Sequence, residues 1–340
     1  MIRSILITLL ILSVSAATQT ATARPALLFD PSDGKVYYAE DIDQVWHPAS
    51  VTKVMTAYVT FEAIRAGRFT LDSKIVYSPL AQKMPASKIG LLAGTEVTID
   101  FALRALIIKS ANDIAVALAE AVGGSHDKFV DEMNATAGRL GMTRTNFVNP
   151  NGLPAPEQVT TARDLAKLTR AVRRDYPEHA AYWAMSSMRV GKRRLRSHNS
   201  LLRTFEGANG IKTGFICDSG FNIVASATRG DISLVAIVLG EKTPGERKLR
   251  AANLLDHGFK TYKWKTYFGT ETLDSIPLLA GGATPTSIRN DVPLAACNRA
   301  LARARARRAK RARAARLRAR KLRARKRRAE KLAAAKKRNK

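Results

Sequence analysis

The chain reads as an α/β protein, a sheet layer interrupted by a helical subdomain. Two observations predict this: strand-like runs lie near both ends of the central region, and long helical runs lie between them. The early pair is 26–30 and 35–38, flanking Pro31, Ser32, Asp33 and Gly34, and it reads as a hairpin. The next element, 50–66, reads as a helix closed by Gly67. The stretches 100–122 and 127–140 follow a helical period, the first rich in Ala, Leu and Ile. Three strand-like runs follow at 210–217, 221–228 and 233–239. The last element, 247–259, reads as a helix ending at Gly258.

The 340 residues allow one or two domains with ample core. The start has the form of a secretory signal peptide: Arg3, an apolar run over 5–14, and small residues Ala21, Thr22 and Ala23 at a cleavage site. Segment 1–23 is therefore expected to be removed, leaving a mature chain from Arg24 outside the cytoplasm, periplasmic or otherwise extracytoplasmic. A retained N-terminal anchor is the alternative, although the run is short for a bilayer span. Export permits a disulfide between Cys217 and Cys297, but nothing in their spacing demands one, so two free thiols are expected. The histidines are scattered and no Cys/His cluster occurs, so neither a metal nor a cofactor is expected.

Three short motifs carry the chemistry: Ser50-Val51-Thr52-Lys53, then Ser110-Ala111-Asn112, then Lys212-Thr213-Gly214. A lone Ser-x-x-Lys arises about once or twice by chance in such a chain and reads as a solvent-facing helix. Ser110 before Asn112 reads equally as a helix N-cap. The ordered triple is the signature of an acyl-transfer site. A serine hydroxyl needs a neighbouring base, and positions i and i+3 share a helix face, so Lys53 can serve Ser50. Lys53 must be neutral to do so, and burial with the charge of Lys212 would lower its pKa. Pro48 and Ala49 put Ser50 at the positive end of a helix, which favours an oxyanion. Ser110 can relay a proton, and Asn112 can hold a peptide backbone. Gly214 would let substrate approach the strand closely.

The flanks of these motifs resemble the D-alanyl-D-alanine carboxypeptidases, the low-molecular-mass penicillin-binding proteins. The resemblance rests on Pro48 to Thr56, on Leu140 to Phe147 followed by Asn151-Gly152-Leu153, on Thr161 to Leu165, and on Asn209 to Gly214. It runs from about Pro25 to Phe259. It implies the penicillin-binding protein and β-lactamase-like transpeptidase fold, an antiparallel sheet beside a helical lobe with the site in the groove between them. It also implies an oxyanion hole from the Ser50 and Phe215 N–H groups, with Lys212, Thr213 and Arg247 on the substrate carboxylate. The alternative for Arg247 is one more surface charge beside Lys248 and Arg250. Two positions depart from the pattern: Phe215 stands where many relatives carry His, and His198 where many carry Arg or another polar residue. Ser-Ala-Asn replaces the Ser-Asp-Asn of β-lactamases, and no glutamate stands out for fast deacylation, which tilts the reading toward a peptidase.

The expected organisation is a catalytic domain over 24–262, a linker over 263–298 marked by Gly281, Gly282 and Pro285, and a basic tail over 299–340. The tail carries 22 Lys or Arg against Glu330 alone, so it holds +21 of the total +29. Such a segment cannot build a core and is expected to be disordered when free. Export and the lack of interleaved aromatics argue against nucleic acid. Anionic lipid headgroups or acidic wall polymers are the expected partners, with a solvated tail as the bland alternative. The expected function is an exported serine-type D-Ala-D-Ala carboxypeptidase of peptidoglycan biosynthesis, open to β-lactams as covalent inhibitors. The rivals are a D,D-endopeptidase, a β-lactamase, and a non-catalytic wall- or polyanion-binding protein.

Overall fold

The computed structural model describes residues 24–268, 271–279 and 284–298. The expected signal peptide and basic tail lie outside the described residues. In chain order the elements are β1 (Ala26–Phe29), β2 (Val36–Glu40), α1 (Lys53–Arg65), β3 (Lys74–Val76), α2 (Pro79–Lys83), β4 (Glu96–Thr98), α3 (Ile99–Arg104), α4 (Asn112–Gly123), α5 (His126–Arg139), α6 (Ala162–Asp175) and α7 (Ala180–Ala184). There follow β5 (Ser187–Val190), β6 (Arg193–Arg196), β7 (Ala208–Ile216), β8 (Gly220–Arg229), β9 (Ile232–Glu241), α8 (Pro244–Phe268) and α9 (Leu294–Cys297).

The main sheet has five strands in the order β2-β1-β9-β8-β7, and every neighbouring pair is antiparallel. Period-two alternation sorts its side chains between two cores. Leu234, Ala236 and Val238 of β9 join Ala26 and Leu28 of β1 on one face, where α8 adds Ala251 and Leu255. Val235, Ile237 and Leu239 join Leu27 and Phe29 on the other face, against the larger core that α1, α4 and α6 complete. Residues Lys53 to Phe61 of α1 are all buried, the mark of a helix in the middle of a lobe rather than on its surface.

The early hairpin, the closure of α1 at Gly67 (φ +71°), and the three late strands match the sequence reading. Several elements do not. The helical pattern over 100–122 is broken: α3 ends in a π-helical turn, Ala105–Lys109, and Ser110 takes a left-handed φ of 56° before α4 begins. The helix expected to stop at Gly258 runs ten residues further, to Phe268. Gly258 is a packing position, because a Cβ there would come within 2.6 Å of Leu234 Cδ1 and 2.7 Å of Leu28 Cδ2. Helix α6 was not expected from periodicity; Thr161 caps it by accepting a 3.1 Å hydrogen bond from Asp164 N–H.

The segment read as a linker is not free chain where it is described. Its first residues extend α8, and its later ones dock on the body. Thr272 bridges Lys35, and Leu273 is buried. The buried Arg163 pairs with both carboxylate oxygens of Asp43, at 2.7 and 2.8 Å, and donates to the carbonyls of Leu273, Ile276 and Pro277. Further on, Ile288 and Val292 are buried, Ile288 N–H donates to Asp218 O at 2.9 Å, and Arg289 forks onto the Asp218 carboxylate at 3.0 and 2.7 Å. Cys217 and Cys297 form a disulfide, which corrects the expectation of two free thiols. The docked strap brings their Cα atoms to 5.6 Å, a separation that sequence spacing does not reveal.

The bridge closes 80 residues of chain, so the full chain with Cys297→Ser should lose about 2–4 kcal/mol of stability. Denaturant unfolding checks this, and reduced wild type should show the same loss. Equal midpoints for oxidised wild type and variant would exclude a stabilising bridge.

Candidate active site

Ser50 lies in a 3₁₀ turn, Ala49–Thr52, that runs straight into α1, so the candidate nucleophile stands at a helix start. The turn is shaped from two sides. A Cβ at Gly152 (φ +74°) would overlap the Ala49 carbonyl, and Ala49 itself has a left-handed φ of 48°. A Cβ at Gly214 would lie 2.7 Å from Pro48 O and 3.1 Å from Ser50 N. The glycine of the third motif is therefore required for β7 to lie against the nucleophile turn, a reason different from substrate approach.

Lys53 is fully buried. Its Nζ lies 3.0 Å from Ser50 Oγ and 2.8 Å from Asn112 Oδ1, and it also donates to the Asn151 carbonyl. A charged amine would donate to all three. A neutral amine donates to the two carbonyl oxygens and keeps its lone pair for the Ser50 proton. Burial pushes the Lys53 pKa well below its ordinary 10.5, and the nearby Lys212 charge adds to this against a smaller opposing effect of Asp113. The neutral base form is thus accessible.

The second motif is positioned through a buried carboxylate that the sequence reading passed over. Asp113 Oδ2 accepts from Tyr77 O–H at 2.6 Å and from the N–H groups of Ile89 and Gly90 at 2.8 and 2.9 Å. This ties the preceding loop to α4. The same loop holds Asn112, whose Nδ2 donates to Pro85 O at 3.0 Å and whose N–H donates to Ser87 O at 2.8 Å. Ser110 is not the N-cap of α4; Ala111 occupies that position, and the Ser110 hydroxyl turns instead to accept from Lys212 Nζ at 2.8 Å.

The third motif opens the cleft's other wall on β7, the outer strand of the sheet. Lys212 is buried and donates to Thr213 O at 2.9 Å as well as to Ser110. Burial first, then the charge of Arg247, brings its pKa down to about 7. Phe215 stacks on Phe221, with centroids 4.1 Å apart. Arg247 is only 7% exposed, and its Nη atoms make long contacts, 3.5 Å to Asn222 O and 3.4 Å to His198 O. Its Nε is buried without a partner among the described residues. An arginine so poorly satisfied, on the wall of a cavity, is suited to an arriving carboxylate. Burial lowers its pKa to about 10.

These side chains line one cavity of about 420 Å³, with Ser50, Ser110, Asn112, Thr213, Phe215 and Arg247 on its walls. His198 stands exposed at its lip. The structure brings every motif residue expected from the sequence to this cavity or into contact with a residue that lines it. It adds the Asn151 carbonyl, Asp113 and Asn222. Asn222 Nδ2 donates to His47 O at 2.9 Å and to Pro48 O at 3.3 Å, and its Oδ1 accepts from Gly240 N–H at 3.0 Å, so it pins the entry to the nucleophile turn. Backbone carbonyls and lone buried carboxylates leave no pattern in sequence that could have flagged them. Among the described residues, no Asp or Glu lines the cavity. Among the described residues no group of three or more His, Cys, Asp or Glu could hold a metal ion.

An antiparallel sheet, a helical lobe and a serine–lysine pair in the cleft between them define the fold class of the penicillin-binding proteins. Penicillin binding protein 5 from Haemophilus influenzae superposes with a TM-score of 0.68 at 33% identity, covering 70% of this chain and 71% of that one. Penicillin-binding protein D2 from Listeria monocytogenes, in its ampicillin-bound form, gives 0.64 at 28% identity, covering 70% of this chain and 97% of that one. Residues 12–243 match the sequence profile of the D-alanyl-D-alanine carboxypeptidase family, and the chain belongs to that family. It is 37% identical over 263 residues to D-alanyl-D-alanine carboxypeptidase DacC of Escherichia coli, covering 74% of this chain and 66% of the relative. DacF of Bacillus subtilis is 32% identical over 256 residues, with 71% and 63% covered. The match thus spans a little under two thirds of the length of these curated relatives.

Removing a positive neighbour should raise the Lys53 pKa, because Lys212⁺ disfavours a second charge beside it. In Lys212→Gln the acidic limb of the pH profile for acylation by penicillin should therefore move up. Stopped acylation rates from acid to alkaline pH give the limb. A limb that stays put, or moves down, would mean that Lys53 is not the titrating base.

Proposed function

We propose that the chain is a serine-type D-Ala-D-Ala carboxypeptidase that removes the terminal D-Ala of peptidoglycan stem peptides. The observation that carries this reading is a buried Lys53 amine 3.0 Å from Ser50 Oγ, with its remaining contacts made to two carbonyl oxygens. Ser50 attacks the penultimate D-Ala carbonyl as Lys53 takes its proton. The N–H groups of Ser50 and Phe215 face the developing oxyanion. The Lys212–Ser110 contact of 2.8 Å gives a route for a proton to the leaving amine. Asn112 orients the peptide backbone. Lys212, Thr213 and Arg247 take the terminal carboxylate, consistent with the unsatisfied Nε of Arg247. D-Ala departs, and water hydrolyses the ester on Ser50. A cavity wall without a carboxylate supports slow release of a β-lactam over β-lactamase action, so β-lactams would act as covalent inhibitors. Export through the N-terminal segment puts the enzyme outside the cytoplasm. The +21 tail would hold it on an anionic membrane surface or wall polymer.

A fluorescent penicillin should label the wild type and leave Ser50→Ala unlabelled; a covalent adduct on the variant rejects the nucleophile. The same preparation should cleave a stem peptide amidated at its C-terminus roughly tenfold to a hundredfold more slowly than the free acid. That follows from about 1.5–3 kcal/mol for a lost charged hydrogen bond. Equal rates would favour the endopeptidase reading.

A chain ending at Asn298 should keep both labelling and cleavage in solution while losing salt-sensitive binding to anionic vesicles or isolated sacculi. Binding equal to that of the full chain at low salt would show that the tail is not the tether.

A further inference from the structure

The β5–β6 hairpin follows the alternation of a half-buried ribbon. Met188, Val190 and Leu195 pack toward the core. Arg189, Arg194 and Arg196 point outward, and Lys192 and Arg193 sit at the turn; all five are exposed. No acidic residue occurs in the sequence between Glu178 and Glu206. None of the five cations is in an ion pair among the described residues, where acids pair with many other arginines. The register even sets Arg189 directly opposite Arg194, a like-charge pair that weakens the hairpin. Without a neutralising acid, the ribbon presents a concentrated positive face.

Its place relative to the cleft indicates which anion it meets. The hairpin packs on the π-helical turn Ala105–Lys109, whose next residue is Ser110. It leads through Ser197 to His198 on the cavity lip, and Asn199 Nδ2 then donates to Gly210 O of β7 at 2.9 Å. The chain leaving the ribbon thus reaches β7 at Gly210, two residues before Lys212, which takes the leaving residue's carboxylate in the proposed reading. It presents none of the exposed large apolar side chains that an interfacial lipid surface uses.

We infer that the β5–β6 hairpin is a docking surface for an anionic wall polymer, holding the strand that carries the stem peptide across the leaving-residue side of the cleft. This rests on the carboxypeptidase reading and names the polymer that the same site works on. The ligand chemistry is the row of stem-peptide carboxylates along that one strand, which complements five exposed cations with no acid among them. Screening within about 8 Å at physiological ionic strength confines the effect to the strand in contact with the ribbon. It should change capture of polymer and not the acyl step on a small molecule.

The test compares the full-length wild type with a full-length variant carrying Arg189→Gln, Lys192→Gln, Arg193→Gln, Arg194→Gln and Arg196→Gln. A second variant with only Arg189→Gln and Arg194→Gln relieves the opposed pair and guards against misfolding. Penicillin acylation rates should be unchanged in both, which shows an intact site. On isolated sacculi at low salt, kcat/KM for D-Ala release should fall about fivefold to tenfold in the five-site variant, and the curves should converge as salt rises. Sacculi stripped of phosphodiester polymers by hydrofluoric acid test the occupant: a persisting difference supports the stem-peptide strand, and a vanished one overturns the inference in favour of a phosphodiester polymer. Superimposable salt curves on both kinds of sacculi would overturn the inference. So would a difference confined to binding of phosphatidylglycerol vesicles, which would make the ribbon a lipid contact. A wild type that fails to take penicillin or release D-Ala would sink the carboxypeptidase reading instead, a separate outcome.

Discussion

Burial of the Lys53 amine beside Ser50 is the constraint on which the rest of the structure depends. An amine taken out of water resists carrying its charge, and here a second buried lysine adds to that resistance. The desolvated group still needs hydrogen-bond partners, and the Asn112 side chain and Asn151 backbone supply them. Each partner is itself held from elsewhere. Asp113 ties the loop around Asn112, and Gly152 lets the segment after Asn151 press on the nucleophile turn. The environment of this amine is a property of four chain segments at once.

A similar logic shapes the β7 wall of the cavity. β7 lies close enough to the Ser50 turn that only glycine serves at position 214, and Asn222 of β8 clamps the turn's entry. The turn joining β7 to β8 is in turn gripped by the C-terminal strap through Asp218, Ile288 and the Cys217–Cys297 bridge. The strap lies beyond the residues matched by the family profile, which end at 243. It braces the wall that carries Phe215 and Phe221. It also fixes residue 297 near the end of β7, just before the cationic tail begins.

Much of the fold was legible because its signals are local. The hairpin of β1 and β2, helix α1 closed at Gly67, and strands β7 to β9 follow from turn residues and alternation. Two local readings failed for a shared reason. Gly258 looks like a helix stop but is a contact surface for Leu28 and Leu234, and the pattern over 100–122 looks continuous but must break to aim Ser110 at Lys212. In both places tertiary packing overrode local preference.

By itself, the sequence determined the candidate reacting groups: Ser50 and Lys53 one helical turn apart, Ser110 with Asn112, and Lys212 with Thr213 and Gly214. Residue identity and short spacing are enough to specify which atoms are present and which can share a face. Only the tertiary structure decided their working state. Lys53 meets Asn151 across 98 residues and Cys217 meets Cys297 across 80. Burial, charge proximity and bond-forming distance are properties of three-dimensional placement, and contacts between such distant segments leave no periodicity in the chain to read.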